Sequence, residues 1–224
     1  MKSKHLPLTF FILFLAFQVA AQNTMYPTKA PYISTGIDGC ILSTAHGAKL
    51  PGQSFGTPRV TGFFHAGANL NYDFNKHLGM YTGLNIKNIG FIEQRNNPDS
   101  TIKRRVYAFG VPLGFKVGDV KFGSYVLFGG GVDFPFNYKE KGFVNRGDKT
   151  KFNEWFGSRT PAVMPYVFVG AHLRPVVALK LQYYPANFLN GGYIANGGGK
   201  PYTGYNVHLV MLTAGFDISY YPKK

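Results

Sequence analysis

Several sets of residues in this chain have types that could do chemistry, and the first is a glycine-rich stretch ending in lysine, Gly197-Gly198-Gly199-Lys200-Pro201. A phosphate loop needs a glycine, four residues, then Gly-Lys-Ser/Thr, so that backbone amides cradle the phosphates and the hydroxyl takes the metal. Ile194 occupies the first glycine position and Pro201 the last, so the stretch is expected to be a plain loop. His65, His77, His172 and His208 lack metal-ligand spacing and read as interior or turn residues. The single cysteine, Cys40, can form neither an intramolecular disulfide nor a cysteine-based metal site, and reads as a small buried residue. A Ser/His/acid set has no nucleophile elbow to carry it. No catalytic, cofactor-binding or metal-binding residue is therefore assigned, and the chain reads as no enzyme.

Two further sets have more informative surroundings. The polar residues His65, Asn69, Asn71, Asp73, Tyr81, Asn85, Lys87, Asp133, Lys180, Gln182 and Asp217 alternate with apolar ones. Such a period of two places one set on each face of a strand. The segment Asn137–Pro161 is a long connection carrying Lys139, Lys141, Arg146, Lys149, Lys151 and Arg159 against Glu140, Asp148 and Glu154. It also holds Phe143, Phe152, Phe156 and the only tryptophan, Trp155.

The elements that must hold these residues are strands. The pattern predicts eight, at Tyr32–Leu42, Val60–Phe74, Gly79–Ile92, Arg104–Lys116, Lys121–Phe136, Ala162–Arg174, Val176–Pro185 and Gly204–Tyr220. Most are long enough for a tilted strand to cross a bilayer, which takes roughly 9–11 residues. Tyr107, Phe109, Val111, Leu113 and Phe115 oppose Ala108, Gly110, Pro112, Gly114 and Lys116. Phe122, Val126, Phe128, Val132 and Phe134 oppose Gly123, Gly129, Gly131 and Asp133, and Leu179 shares a face with Val177 and Leu181. The apolar faces are expected to meet lipid and the polar ones a lumen. The sixth and eighth strands are apolar on both faces in part. Pro112 has no ladder donor and predicts a bulge or local break.

Connections alternate between short (after Phe74, Lys116 and Arg174) and long (Ser43–Arg59, Glu93–Lys103, Asn137–Pro161 and Ala186–Thr203). Bacterial membrane barrels have short periplasmic turns and longer outer loops, which puts both mature termini in the periplasm. Eight strands enclose an interior just wide enough for side chains. Mixed charges there should pair and plug it, which disfavours a general diffusion porin.

Composition and the N-terminus agree with export. Lys2 and Lys4 precede an apolar run from Leu6 to Ala16, and Val19 and Ala21 satisfy the small-residue cleavage rule. The signal peptide is expected over 1–21 and the barrel domain over 22–224. Gln22, not cysteine, follows the cut, so no lipid anchor is expected there. Aromatic residues make up 17% and charged residues only 15%, against roughly 25% charged in soluble domains. The net charge of +14 falls to +12 once Lys2 and Lys4 are removed. Basic chains often bind nucleic acid, but an exported one is expected to meet anionic lipid headgroups and glycans instead.

Two resemblances follow from particular segments. Thr213-Ala-Gly215-Phe-Asp-Ile218-Ser-Tyr220 resembles the β-signal of proteins inserted by the barrel-assembly machinery; the final Pro222-Lys223-Lys224 departs from the usual aromatic ending. Tyr107-Ala-Phe-Gly-Val-Pro-Leu-Gly-Phe-Lys116, Gly129-Gly-Gly-Val-Asp133 and Asn137-Tyr-Lys-Glu-Lys141 look like the PorT-like outer-membrane β-barrel family. That resemblance spans most of the mature chain as a barrel pattern. It implies a barrel fold and a Gram-negative outer-membrane location, and little about activity; the leading reading is a structural part in, or an accessory role to, an envelope or secretion machine. A narrow solute channel and a lipid-modifying barrel enzyme are the alternatives. The expected partners are outer-membrane lipids and lipopolysaccharide, whose phosphates Lys139, Lys141, Arg146, Lys149 and Lys151 would meet, with Trp155 as an interfacial anchor.

Overall fold

The computed structural model describes residues 30–48, 52–96, 99–144 and 148–220. The expected signal peptide and Arg146 lie outside them, as does the side chain of Cys40. The described residues form ten strands: β1 (Tyr32–Ala48), β2 (Gln53–Ser54), β3 (Arg59–Asp73), β4 (Leu78–Asn96), β5 (Asp99–Asp119), β6 (Ser124–Val144), β7 (Asp148–Trp155), β8 (Met164–Leu173), β9 (Val177–Tyr184) and β10 (Asn206–Tyr220). Eight of them close a ring in the order β1-β3-β4-β5-β6-β8-β9-β10, with β10 pairing back onto β1. Every pairing in the ring is antiparallel between neighbours in that order, so the fold is an all-β, up-and-down barrel. All eight expected strands lie in the ring.

Closure follows from the alternation. Each ring strand turns large apolar side chains outward, such as Ile33, Leu70, Leu84, Leu113, Phe128, Val169, Leu181 and Leu212. Polar and glycine positions turn inward. Gly114 and Gly129 face one another across β5 and β6, where a Cβ would collide with the Tyr81 ring at Gly114 and with the backbone of Leu113 at Gly129. Glycine there makes room for rings that fill a narrow interior.

Short turns join β3 to β4, β5 to β6 and β8 to β9, and the two ends of the ring, Ile33 and Tyr220, pair at the same rim. In the first turn, the Asn75 side-chain oxygen accepts hydrogen bonds from the amides of His77 (2.8 Å) and Leu78 (2.9 Å), an asparagine turn. In the second, Gly123 takes φ +76°, which L side chains rarely adopt.

The opposite rim differs from the expected loops. The connections after the third and fifth expected strands are largely strand: β4 and β5 stay paired to Asn96 and Asp99, and β6 continues to Val144 and is met by β7. These residues carry too many charges for a two-faced apolar pattern, so alternation alone did not extend the strands into them. Two bulges reset which residues face inward. One lies between Asp38 and Cys40 and the other between Tyr107 and Ala108 of β5, opposite Pro135–Asn137 of β6. Pro112 causes no register shift, but the β4–β5 ladder is interrupted at Gly83 and Leu84 and resumes in register.

The apolar residues that made two strands apolar on both faces fill the long-loop end of the interior. Met164, Tyr166, Phe168, Val207, Leu209 and Met211 join Phe55, Phe91, Phe188, Leu189, Tyr193, Tyr202 and Tyr205 in one buried cluster. The β9–β10 connection thus folds into the mouth of the ring.

Candidate functional site

Two arrangements could serve a function: the polar interior, and the outward face of the β5-β6-β7 extension. All eleven residues expected in the lumen point into it, and most of them line a cavity of about 50 Å³. On that measure a water takes about 10–15 Å³, so the space between the lining side chains suits a few waters.

The interior is layered by ion pairs. Nearest the short turns, Lys116 pairs with Asp73 and donates to the Tyr32 hydroxyl (2.8 Å) and to Asn71 (3.2 Å). Next, Asp38 lies 3.1 Å from the His65 ring nitrogen and 3.4 Å from Lys180. Above it, Lys87 sits 3.1 Å from Asp133, which also accepts from the Tyr184 hydroxyl at 2.6 Å. The top layer joins Glu93 to Arg95 (2.7 Å) and Arg104 (2.9 Å), and Arg104 to Glu140. Tyr205 donates to Glu93 (2.8 Å) and Gln53 reaches the same carboxylate (2.9 Å).

Sequence reasoning missed part of this network. Asp38 enters through the β1 bulge, where Gly39 sits inside a strand, a recognisable bulge signal. Glu93, Arg95, Arg104 and Glu140 lie at or beyond the ends of the expected strands. The histidines are dispersed: His77 meets the Gly118 carbonyl, His172 the Gly123 carbonyl, and His208 the ring of His46. Among the described residues, no three His, Cys, Asp or Glu side chains cluster as a metal site. Gly197–Lys200 form an exposed turn closed by Gly198 and Ala195.

The second arrangement depends on the β6 bulge. Below it, odd-numbered β6 residues such as Asp133 face inward. Above it, Tyr138 and Glu140 face inward, opposite Val106 and Arg104, and Lys139 and Lys141 face outward. Their cross-strand neighbours share that face. Lys103, Lys141 and Lys151 stand in one row across three strands, Arg105 and Lys139 in the row below, and Lys149 beside Phe143 above. Two carboxylates of the hairpin turn away: Glu140 meets Arg104, and Glu154 meets Arg159 at 2.9 Å. Lys149 above all, then slight burial, Lys103, Lys151 and Arg105, hold the Lys141 ammonium below its ordinary pKa.

Trp155 stands at the foot of this face stacked beside Phe136 (6.0 Å between ring centres), and the Phe136 ring lies 4.6 Å from that of Phe109, tilted by 32°. Arg159, expected with the other loop cations, instead latches the mouth. It donates to the Tyr202 hydroxyl (2.9 Å) and lies over the Phe152 and Tyr193 rings. The four β-signal residues share β10 but not one face. Thr213 and Gly215 point inward, and Ile218 and Tyr220 outward.

Breaking a buried pair by removing one partner leaves an uncompensated charge, at a cost of about 3–5 kcal/mol. Asp133→Leu should lower the urea midpoint accordingly, and adding Lys87→Met should restore most of the loss. A double variant no more stable than Asp133→Leu alone would refute the pairing.

No protein-family model matches the chain, and no curated protein sequence does. Among solved structures, it is similar to Ail, the attachment invasion locus protein of Yersinia pestis, in complex with the heparin analogue sucrose octasulfate. Identity is 16% over 86% of this chain and 100% of that one, with a TM-score of 0.34. Neisserial surface protein A gives 13% identity over 85% and 97%, with a TM-score of 0.41. The outer membrane protein OprG from Pseudomonas aeruginosa gives 14% over 87% and 98%, with a TM-score of 0.37. At such values the barrel assignment rests on this chain's own strand pairing.

Proposed function

We propose that this chain is a non-enzymatic outer-membrane barrel whose interior is closed to solutes and whose outer rim carries a rigid β-extension as its working surface. One observation carries the reading: the molecule is inside out, with apolar side chains outward on every ring strand and ion pairs within. A water-soluble barrel would expose a continuous apolar band far larger than soluble proteins tolerate.

The band has membrane dimensions. On β5 the outward run from Tyr107 to Val117 covers about 34 Å of strand at about 3.4 Å per residue. Tilted by about 40–45°, it rises about 25 Å, the height of the apolar band of membrane barrels. Trp155 and Phe136 stand at its upper border, where aromatic girdles lie. The short-turn rim, with both ends of the ring, then faces the periplasm. A structural or accessory part in an envelope machine is the role that fits a closed interior beneath a rigid rim; the resemblance of Tyr107–Lys116 to PorT-like barrels bears on fold and location.

The closed interior supports this role over that of a channel. In planar lipid bilayers the purified protein should give no steady conductance. Ohmic, long-lived openings at neutral pH would overturn the reading in favour of a solute channel.

Thr213, Gly215, Ile218 and Tyr220 would serve insertion by the barrel-assembly machinery, because β10 is the strand that closes the ring onto β1. Tyr220 is 57% exposed and pairs with Ile33 at the rim, so its truncation disturbs little packing. Tyr220→Ala should lower outer-membrane levels severalfold while the protein refolded from urea keeps its midpoint. Unchanged levels would remove the assembly role.

A further inference from the structure

The outward face of the β5-β6-β7 extension is a ladder of like charges. Lys103, Lys141 and Lys151 are direct cross-strand neighbours, and Arg105 and Lys139 form the row beneath. Like charges placed opposite one another destabilise a sheet, so this pattern works against the hairpin that carries it. Among the described side chains, two acidic residues of the hairpin are committed elsewhere, Glu140 to Arg104 and Glu154 to Arg159, and Asp99 lies at the tip. Lys139 and Lys141 lie over the Tyr107 and Phe143 rings at 5.0 and 4.9 Å, which fixes their stems along the sheet.

We propose that this ladder clamps the phosphates of lipopolysaccharide molecules packed beside the barrel. The inference rests on the outer-membrane reading above. Adjacent strands lie about 4.8 Å apart, so two ammonium groups in one row can both donate to a single phosphate at about 2.7–2.9 Å.

Position selects the source of the phosphate. The cationic rows continue the same outward face that carries Phe109 and Leu113, and they begin one row above Tyr107. Two residues of strand advance about 7 Å, so the rows stand immediately above the apolar band, beside the headgroups. A ligand arriving from solution would need neither this sideways orientation nor this height. A protein partner fits less well, since protein interfaces are depleted in lysine and centred on apolar anchors.

The test uses the mature protein refolded in detergent micelles, with binding read by thermophoresis. The probes are bis-phosphorylated lipid A, the same lipid lacking both phosphates, and inorganic tripolyphosphate. The parent should prefer phosphorylated to dephosphorylated lipid A by about tenfold or more. That preference should shrink between about 0.05 and 0.5 M salt as screening rises. The triple variant K103Q, K141Q and K151Q should lose it. Its urea midpoint should equal or exceed that of the parent, because repulsion is relieved. K76Q with K121Q, at the opposite rim, should bind as the parent does. Equal binding of phosphorylated lipid A by parent and triple variant would overturn the inference. Tripolyphosphate bound as tightly as lipid A would also overturn it, marking a site for free anions. Refolding into phosphatidylcholine vesicles is scored separately: failure of the parent to insert would sink the membrane reading, whereas insertion without phosphate preference would sink the ladder alone.

Discussion

An eight-stranded ring encloses a space only as wide as the side chains that line it, and a charge placed there must find a partner at once. The rest of the structure depends on this constraint. Lys116 with Asp73, Asp38 with His65 and Lys180, Lys87 with Asp133, and Glu93 with Arg95 and Arg104 run in tiers along the barrel. Three of these four tiers tie together strands that are not neighbours, and the uppermost joins β4 to the adjacent β5. Lys87 of β4 reaches Asp133 of β6, and Tyr184 of β9 closes on the same carboxylate. Such ties can hold only one register, because sliding a strand by one residue would turn its charges outward.

The bulges are where this register is used for something else. In β1, the extra residue lets Asp38 and Ile41 both enter the interior although three positions separate them. In β6, the bulge near Pro135 inverts the alternation, so that glutamate goes in and lysines go out above it. A single irregularity thus supplies the uppermost ion pair, Glu140 with Arg104, and the external cationic face together. Pro135 suits the position because it has no amide to leave unpaired.

Much of this was legible in the sequence, for a physical reason. A strand with an apolar exterior on one face and a polar, packed interior on the other must sort its side chains between the two, and the sorting has a period of two. That period identified eight ring strands, placed His65, Lys87, Asp133 and Lys180 inside, and placed Phe109, Leu113, Phe128 and Leu179 outside. It failed where one of the two media is absent. Beyond the apolar band both faces of the extension meet polar surroundings, so Asn137–Trp155 lost its alternation and read as a loop. Lys103 and Arg105 were missed for the same reason, since cross-strand neighbours carry no signal of proximity along the chain. The mouth misled the pattern in the opposite sense: Val207, Leu209 and Met211 face inward but pack against an apolar plug.

The central claim is the inversion of inside and outside about β5, and spin-label accessibility tests it most directly. Single nitroxides placed in turn from Lys103 to Val117, in a Cys40→Ala background refolded into lipid vesicles, report collision with oxygen and with a water-soluble nickel complex. The account predicts oxygen maxima at Tyr107, Phe109, Val111, Leu113, Phe115 and Val117, minima at the even positions between them, and nickel maxima at Lys103 and Arg105. Oxygen maxima at the even positions, or accessibility without a period of two, would contradict it.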